Sequence, residues 1–231
     1  MAHIILIAGT HHGGWYWDAI SESLRQQGHN VFAPSLSGLE DSFDHKGVIN
    51  LDTHIDDVLK IINKNKMSTV TLVGWSYGGM VITGVADRTS AQIKSLIYLD
   101  AVVPMPGQAE WDLIGASLRE KFTSSTRDGL KIEVPEAFLK FRPRLKPHPL
   151  ATKIQPLNYS LEKFEAISKV YVHAELGFGP DEDHFLLQCY RRCLESKNWK
   201  TYTLSAGHDL ATEQPEAVIE IIGKVFMKSN T

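Results

Sequence analysis

The chain has 231 residues, 43% hydrophobic and 22% charged, the balance of one globular domain with at most a small insertion. Its 24 basic and 27 acidic residues leave a net charge of −3. That argues against a nucleic-acid binder drawing its affinity from a basic face, and it gives no support to a membrane-surface protein.

Apolar β-rich runs alternate with amphipathic stretches, the pattern of βαβ units around a mostly parallel sheet. His3 to Ile7 reads as a strand buried on both faces, and with no basic segment before it this start is not read as a signal peptide. Trp17 to Gln27 reads as a helix ended by Gly28, and Asn30 to Ala33 as a strand stopped by Pro34. In Asp52 to Asn63 the apolar positions Ile55, Val58, Leu59 and Ile62 fall three or four apart behind early acidic residues, which predicts a helix. Thr69–Gly74 and Ile93–Asp100 read as strands, with a helix over Gly78–Arg88 between them. From Pro104 to Phe164 the rhythm breaks. Seven prolines fall there, yet Trp111, Leu113, Ile114, Phe138, Leu139 and Phe141 persist, so 104–164 is read as an inserted cap and 1–103 with 165–231 as the core. The α/β rhythm then resumes with a strand at Lys169–Ala174, a helix at Asp183–Ser196, a strand at Trp199–Leu204 and a closing helix at Pro215–Lys228. No span is long and apolar enough to cross a bilayer. Cys189 and Cys193 lie one helical turn apart and read as free thiols of a reducing cytoplasm.

The strongest local signal is Gly74-Trp75-Ser76-Tyr77-Gly78-Gly79. G-x-S-x-G between a strand and a helix is a nucleophile elbow, a sharp turn that exposes one serine hydroxyl. Serine needs a base. His208 lies in a loop between the last strand and the last helix, where it can reach the elbow. An oxyanion hole needs two donors. The amide of Tyr77 is one, and the loop Ala8-Gly9-Thr10-His11-His12-Gly13-Gly14-Trp15 is expected to supply the other, with a further hydroxyl on Thr10. His11 and His12 are placed at the pocket, while His3, His29, His45, His54 and His148 read as surface or structural. The glycine spacing of that loop is not the dinucleotide-binding one.

Together the loop Gly9 to Trp17, the run Leu51 to Val58, the elbow with Met80-Val81-Ile82, Tyr98-Leu99-Asp100-Ala101 and His148 to Leu157 resemble the α/β-hydrolase superfamily, over nearly the whole chain. The branch is that of small bacterial esterases related to plant methyl-ester esterases and hydroxynitrile lyases. The resemblance implies an α/β-hydrolase fold, Ser76 as nucleophile, His208 as base, and the amides of Thr10 and Tyr77 as oxyanion hole. It implies hydrolysis of a small ester, with no cofactor and no metal. The lyases carry a hydroxyl residue at Gly9 and a Lys directly after the catalytic His, where this chain has Gly9 and Asp209.

Two positions depart from the family pattern. Ala8 stands where a loop-orienting His is usual, and no Asp follows the strand ending at Ala174. Glu175, at that strand end, is the first candidate for the acid that orients His208. Asp181, Asp183, Asp100 and a dyad without an acid stay open. Trp75, Tyr77, Trp111, Phe122, Phe138 and Phe141 are candidates for an apolar pocket lining. The alternatives to an esterase are a lyase, an acyltransferase or a cyclase on the same scaffold, or a small-molecule receptor with little turnover. The expected partner is a small ester-like molecule, not nucleic acid or membrane, with a homodimer left open.

Overall fold

A computed structural model describes residues 1–40, 47–126, 128–177 and 184–227. The chain begins with strand β1 (His3–Ile7), then a 3₁₀ turn (Gly14–Trp17), helix α1 (Asp18–Gln26) and β2 (Asn30–Phe32). Helix α2 (Leu51–Lys64), β3 (Val70–Trp75), α3 (Gly78–Arg88) and β4 (Ile93–Leu99) follow. Between β4 and the next sheet strand lie α4 (Glu110–Leu113), α5 (Ala116–Ser124), β5 (Lys131–Ile132), α6 (Glu136–Phe141), β6 (His148–Pro149), α7 (Ala151–Ile154) and α8 (Leu161–Glu165). The chain re-enters the sheet with β7 (Ser168–Ala174), then α9 (Phe185–Glu195), β8 (Trp199–Leu204), α10 (Leu210–Glu213) and α11 (Pro215–Met227).

Among the described residues the main sheet has six strands in the order β2-β1-β3-β4-β7-β8, with every pairing parallel. Side chains alternate between its faces. Ile5, Ile7 and Leu72 pack with Ile55, Val58 and Ile62 of α2, with Met80 and Val81 of α3, and with Leu186, Cys189 and Cys193 of α9. Ile4, Leu6 and Val73 pack on the other face with Ile20 and Leu24 of α1 and Val218, Ile221 and Ile222 of α11. Both faces are covered at β1, which reads as an unbroken apolar run from Ile4 to Ile7. Helix α2 starts at Leu51, one residue before the expected Asp52. The side chain of Asn50 accepts from the Thr53 amide at 3.0 Å, while the Thr53 hydroxyl accepts from the Asn50 amide at 3.3 Å. Among the described residues no helix is long and apolar enough to cross a membrane.

Strand order decides where a site can form. The chain runs from β1 outward to β2 and then crosses back to place β3 on the other side of β1. At such a reversal the loops leaving the strand ends diverge and open a crevice. The loops after β1 and β3 flank it.

Candidate active site

Ser76 follows β3 with φ +55°, a left-handed conformation that serine rarely adopts. Two other non-glycine residues beside the crevice share this strain, His11 at φ +68° and Asp100 at φ +40°. Strain of this kind persists only where surrounding bonds over-determine it. Here the Ser76 amide donates to the Leu99 carbonyl at 3.3 Å, the Val102 amide to the Ser76 carbonyl at 3.0 Å, and the Asp100 amide to the Val172 carbonyl at 2.7 Å. The elbow is thus laced to the end of β4, and β4 to β7. Helix α3 begins two residues after Ser76, so its positive N-terminal end lies behind the serine. A Cβ on Gly78 would stand 2.5 Å from the Ile7 carbonyl oxygen, and one on Gly9 would stand 2.8 Å from Ser76 Cβ. Only bare backbone lets these segments approach so closely.

His208 lies in the loop after β8. Its Nδ1–H donates to Asp100 Oδ2 at 2.7 Å, which leaves the lone pair on Nε2. Asp100 is 2% exposed, and its other oxygen accepts from the Ala174 amide at 3.4 Å and lies 3.5 Å from His173 Nδ1. Burial opposes its charge, but the imidazoles of His173 and His208 outweigh burial and hold its carboxyl below the ordinary carboxylate range. The expectation of Glu175 as the acid is therefore corrected. Glu175 is exposed, and its amide extends the β7–β8 ladder to the Leu204 carbonyl. The cause is sheet order. The end of β4 lies between β3 and β7, so a carboxylate there sits beside the elbow, while the end of β7 is one strand farther away. Asp181 and Asp183 lie outside the described residues.

Trp75 and Tyr77 also differ from expectation. Both are buried, at 4% and 0% exposed, so their rings do not line an open pocket. The Trp75 indole stacks on Tyr16 with centroids 4.1 Å apart and donates its N–H to the His208 carbonyl at 2.8 Å, bracing the imidazole from beneath. The Tyr77 hydroxyl meets His54 Nδ1 at 2.9 Å in the core, so what this residue presents to the crevice is its amide. Phe138 and Phe141, expected at the pocket, are 60% and 86% exposed. Trp111 and Phe122 pack partly buried against the core.

The loop after β1 is held from several sides. His12 Nδ1–H donates to the Thr10 carbonyl at 2.8 Å, and His12 Nε2 accepts from Arg142 at 3.2 Å. His11 Nδ1–H donates to the Lys146 carbonyl at 2.8 Å, while its amide donates to His148 Nδ1 at 3.3 Å. Burial pushes both His11 and His12 down to about 4, and His148 well below the usual range, so all three are neutral near pH 7. Thr10 is half-buried, and its hydroxyl oxygen accepts from the ammonium of Lys153 at 2.6 Å. Among the described residues no protein acceptor takes the amide of Thr10 or of Tyr77. Arg142, just after α6, pairs with Asp209, the neighbour of His208.

Sequence reasoning ranked Asp100 behind Glu175, although its place at a strand end next to the elbow strand was a usable signal. It missed Lys153 and Glu110 altogether, because no local pattern connects positions 43 residues apart in an aperiodic segment.

A family model described as the alpha/beta hydrolase family matches residues 4–221. A carbendazim hydrolyzing esterase from a Nocardioides species (strain SG-4G) is 32% identical over 240 residues, spanning 95% of this chain and 98% of that protein. An alpha-hydroxynitrile lyase from Arabidopsis thaliana is 35% identical over 107 residues, 44% of this chain and 40% of the lyase. Among solved structures, an extracellular alpha/beta-hydrolase from a Paenibacillus species superposes with a TM-score of 0.82 at 21% identity, covering 97% of this chain and 99% of that one. The last likeness concerns the fold.

Proposed function

Because the chain belongs to the alpha/beta hydrolase family, we propose that it is a serine hydrolase that cleaves a small carboxylic ester through an acyl-enzyme intermediate. Ser76 attacks the acyl carbon as His208 Nε2 takes its proton. Asp100 holds the imidazole in the tautomer that can accept that proton and stabilises the imidazolium that forms. The tetrahedral oxyanion rests on the amides of Thr10 and Tyr77, with the N-terminal end of α3 behind them. The imidazolium then protonates the leaving alkoxide, and water deacylates the serine with the roles reversed. The segment between β4 and β7 acts as the cap over this site.

The single observation carrying the proposal is the 2.7 Å His208–Asp100 hydrogen bond beside a serine held at φ +55°. The esterase relative, aligned along nearly its whole length, supports hydrolysis. The lyase likeness spans less than half of each chain, and Gly9 has no room for a side chain beside Ser76 and Trp75.

The test uses a fluorophosphonate probe with intact-protein mass spectrometry, beside p-nitrophenyl acetate turnover. The wild type is expected to take up one probe at Ser76. Ser76→Ala is expected to take up none and to lose at least about 10³-fold in kcat, while keeping its melting temperature within a few degrees. Undiminished hydrolysis by Ser76→Ala rejects the serine mechanism.

A further inference from the structure

Lys153 on α7 and Glu110 on α4 form an ion pair with side chains 0% and 5% exposed. The ammonium stands 2.9 Å from each carboxylate oxygen, and its third proton goes to Thr10 Oγ1 at 2.6 Å. All three donors of the ammonium are therefore used. Its nitrogen also lies 4.3 Å from the centroid of the Tyr77 ring. The buried cation thus touches both residues whose amides form the proposed oxyanion hole. Burial pulls the Lys153 pKa down, and Glu110 opposes that pull.

A buried ion pair is a poor stabiliser, since apolar side chains of the same volume hold a fold as well or better. What this pair adds is the bond out of its own segment to Thr10, 143 residues away in sequence. With a lone pair of Oγ1 occupied by a cation, the Thr10 hydroxyl proton points away from Lys153. Among the described residues no acceptor takes that proton. The amide and hydroxyl of one threonine lie close enough to converge on one acceptor atom. A hydroxyl whose oxygen accepts from an ammonium is also a stronger donor, because hydrogen bonds in series polarise one another.

We propose that Lys153 is a positioning residue that acts through Thr10, turning and polarising its hydroxyl so that the oxyanion hole has a third donor. The inference rests on the serine-hydrolase reading. Glu110 keeps the ammonium charged and aimed. The arrangement favours substrates whose tetrahedral intermediate carries a full negative charge.

The experiment is a double-mutant cycle on kcat and KM with p-nitrophenyl acetate, with a trifluoromethyl ketone as transition-state analogue. Thr10→Val is isosteric and keeps the amide. It is expected to lower kcat on the order of 10²-fold, to leave KM within threefold, and to weaken the analogue by the same factor as kcat. Thr10→Ser restores the hydroxyl and is expected to stay within threefold of wild type. Glu110→Gln combined with Lys153→Met removes both charges together, so no lone buried ion remains. Where that pair fails to fold, Glu110→Gln with Lys153→Gln replaces it, the two amides bonding each other. The pair is expected to lower kcat at least fivefold alone and by less than threefold when added to Thr10→Val. A loss below fivefold in Thr10→Val or in the pair overturns the proposal. So does a triple variant that loses the product of the separate factors. Wild-type protein without turnover or probe labelling would instead defeat the hydrolase reading, so the two failures are distinct.

Discussion

At the scale of single residues, His208 depends on one carboxylate. The Asp100 bond at 2.7 Å fixes the proton on Nδ1. An amide in its place can donate to Nδ1 and reverse the tautomer, leaving Nε2 unable to accept from a serine. Asp100→Asn is therefore expected to lower kcat by about 10³- to 10⁴-fold, while Glu175→Gln changes it less than twofold. Steady-state kinetics of the two variants at pH 7.5 check this, and the reverse order would restore Glu175 as the acid. Sequence alone marked Ser76 and His208, because a strand-turn-helix motif and a loop after the last strand are local patterns. It misranked Asp100, although β4 follows β3 both in the chain and in the sheet, because a carboxylate at a strand end carries no local mark of the distant histidine it meets.

At the scale of elements, close contacts hold the site. Alanine is a better helix former than glycine by about 1 kcal/mol. At position 78 that gain is outweighed, since the new Cβ would meet the Ile7 carbonyl oxygen at 2.5 Å and backbone cannot yield cheaply. Gly78→Ala is expected to destabilise the protein by about 1–3 kcal/mol net, read from urea unfolding. A more stable variant would show that α3 can move away from β1. The end of α6 is tied to the loop of His208 by Arg142, which pairs with Asp209 and bonds His12. The pair is half-exposed, so its loss costs about 1 kcal/mol or less in stability. Its effect is expected in KM instead. Arg142→Gln should raise KM severalfold and leave kcat within threefold, measured by initial rates across ester concentrations. An unchanged KM would show that this tie does not position the segment between β4 and β7. Alternating apolar runs and helical spacing made the core elements legible to within a residue or two. The pieces between β4 and β7 were not, because helices of four to nine residues present too few turns for a period to emerge.

For the whole molecule, buried histidines couple folding to pH. His11 and His12 drop to about 4 in the fold from an ordinary 6.5, with burial the main cause. Between those values the unfolded chain binds the protons and the native state does not. Stability therefore falls as pH drops from 6.5 towards 4, by at most about 1.4 kcal/mol per pH unit for each such proton. Asp100, held below its unfolded value, contributes stability above the ordinary carboxylate range and loses it as pH falls through its folded pKa, at the lower end of the same descent. Urea unfolding from pH 7 to 4.5 is expected to trace this fall, with a shallower slope in His12→Gln. A flat profile would place the two rings in water. By itself the sequence determined the parallel α/β core, the elbow serine and the loop histidine, since each is encoded within a few neighbouring positions. Only the tertiary structure decided which carboxylate meets His208, that Trp75 braces it, and that Lys153 lies against Thr10. Those contacts join residues 108 to 143 positions apart, and strand order and the path of the chain between β4 and β7 bring them together.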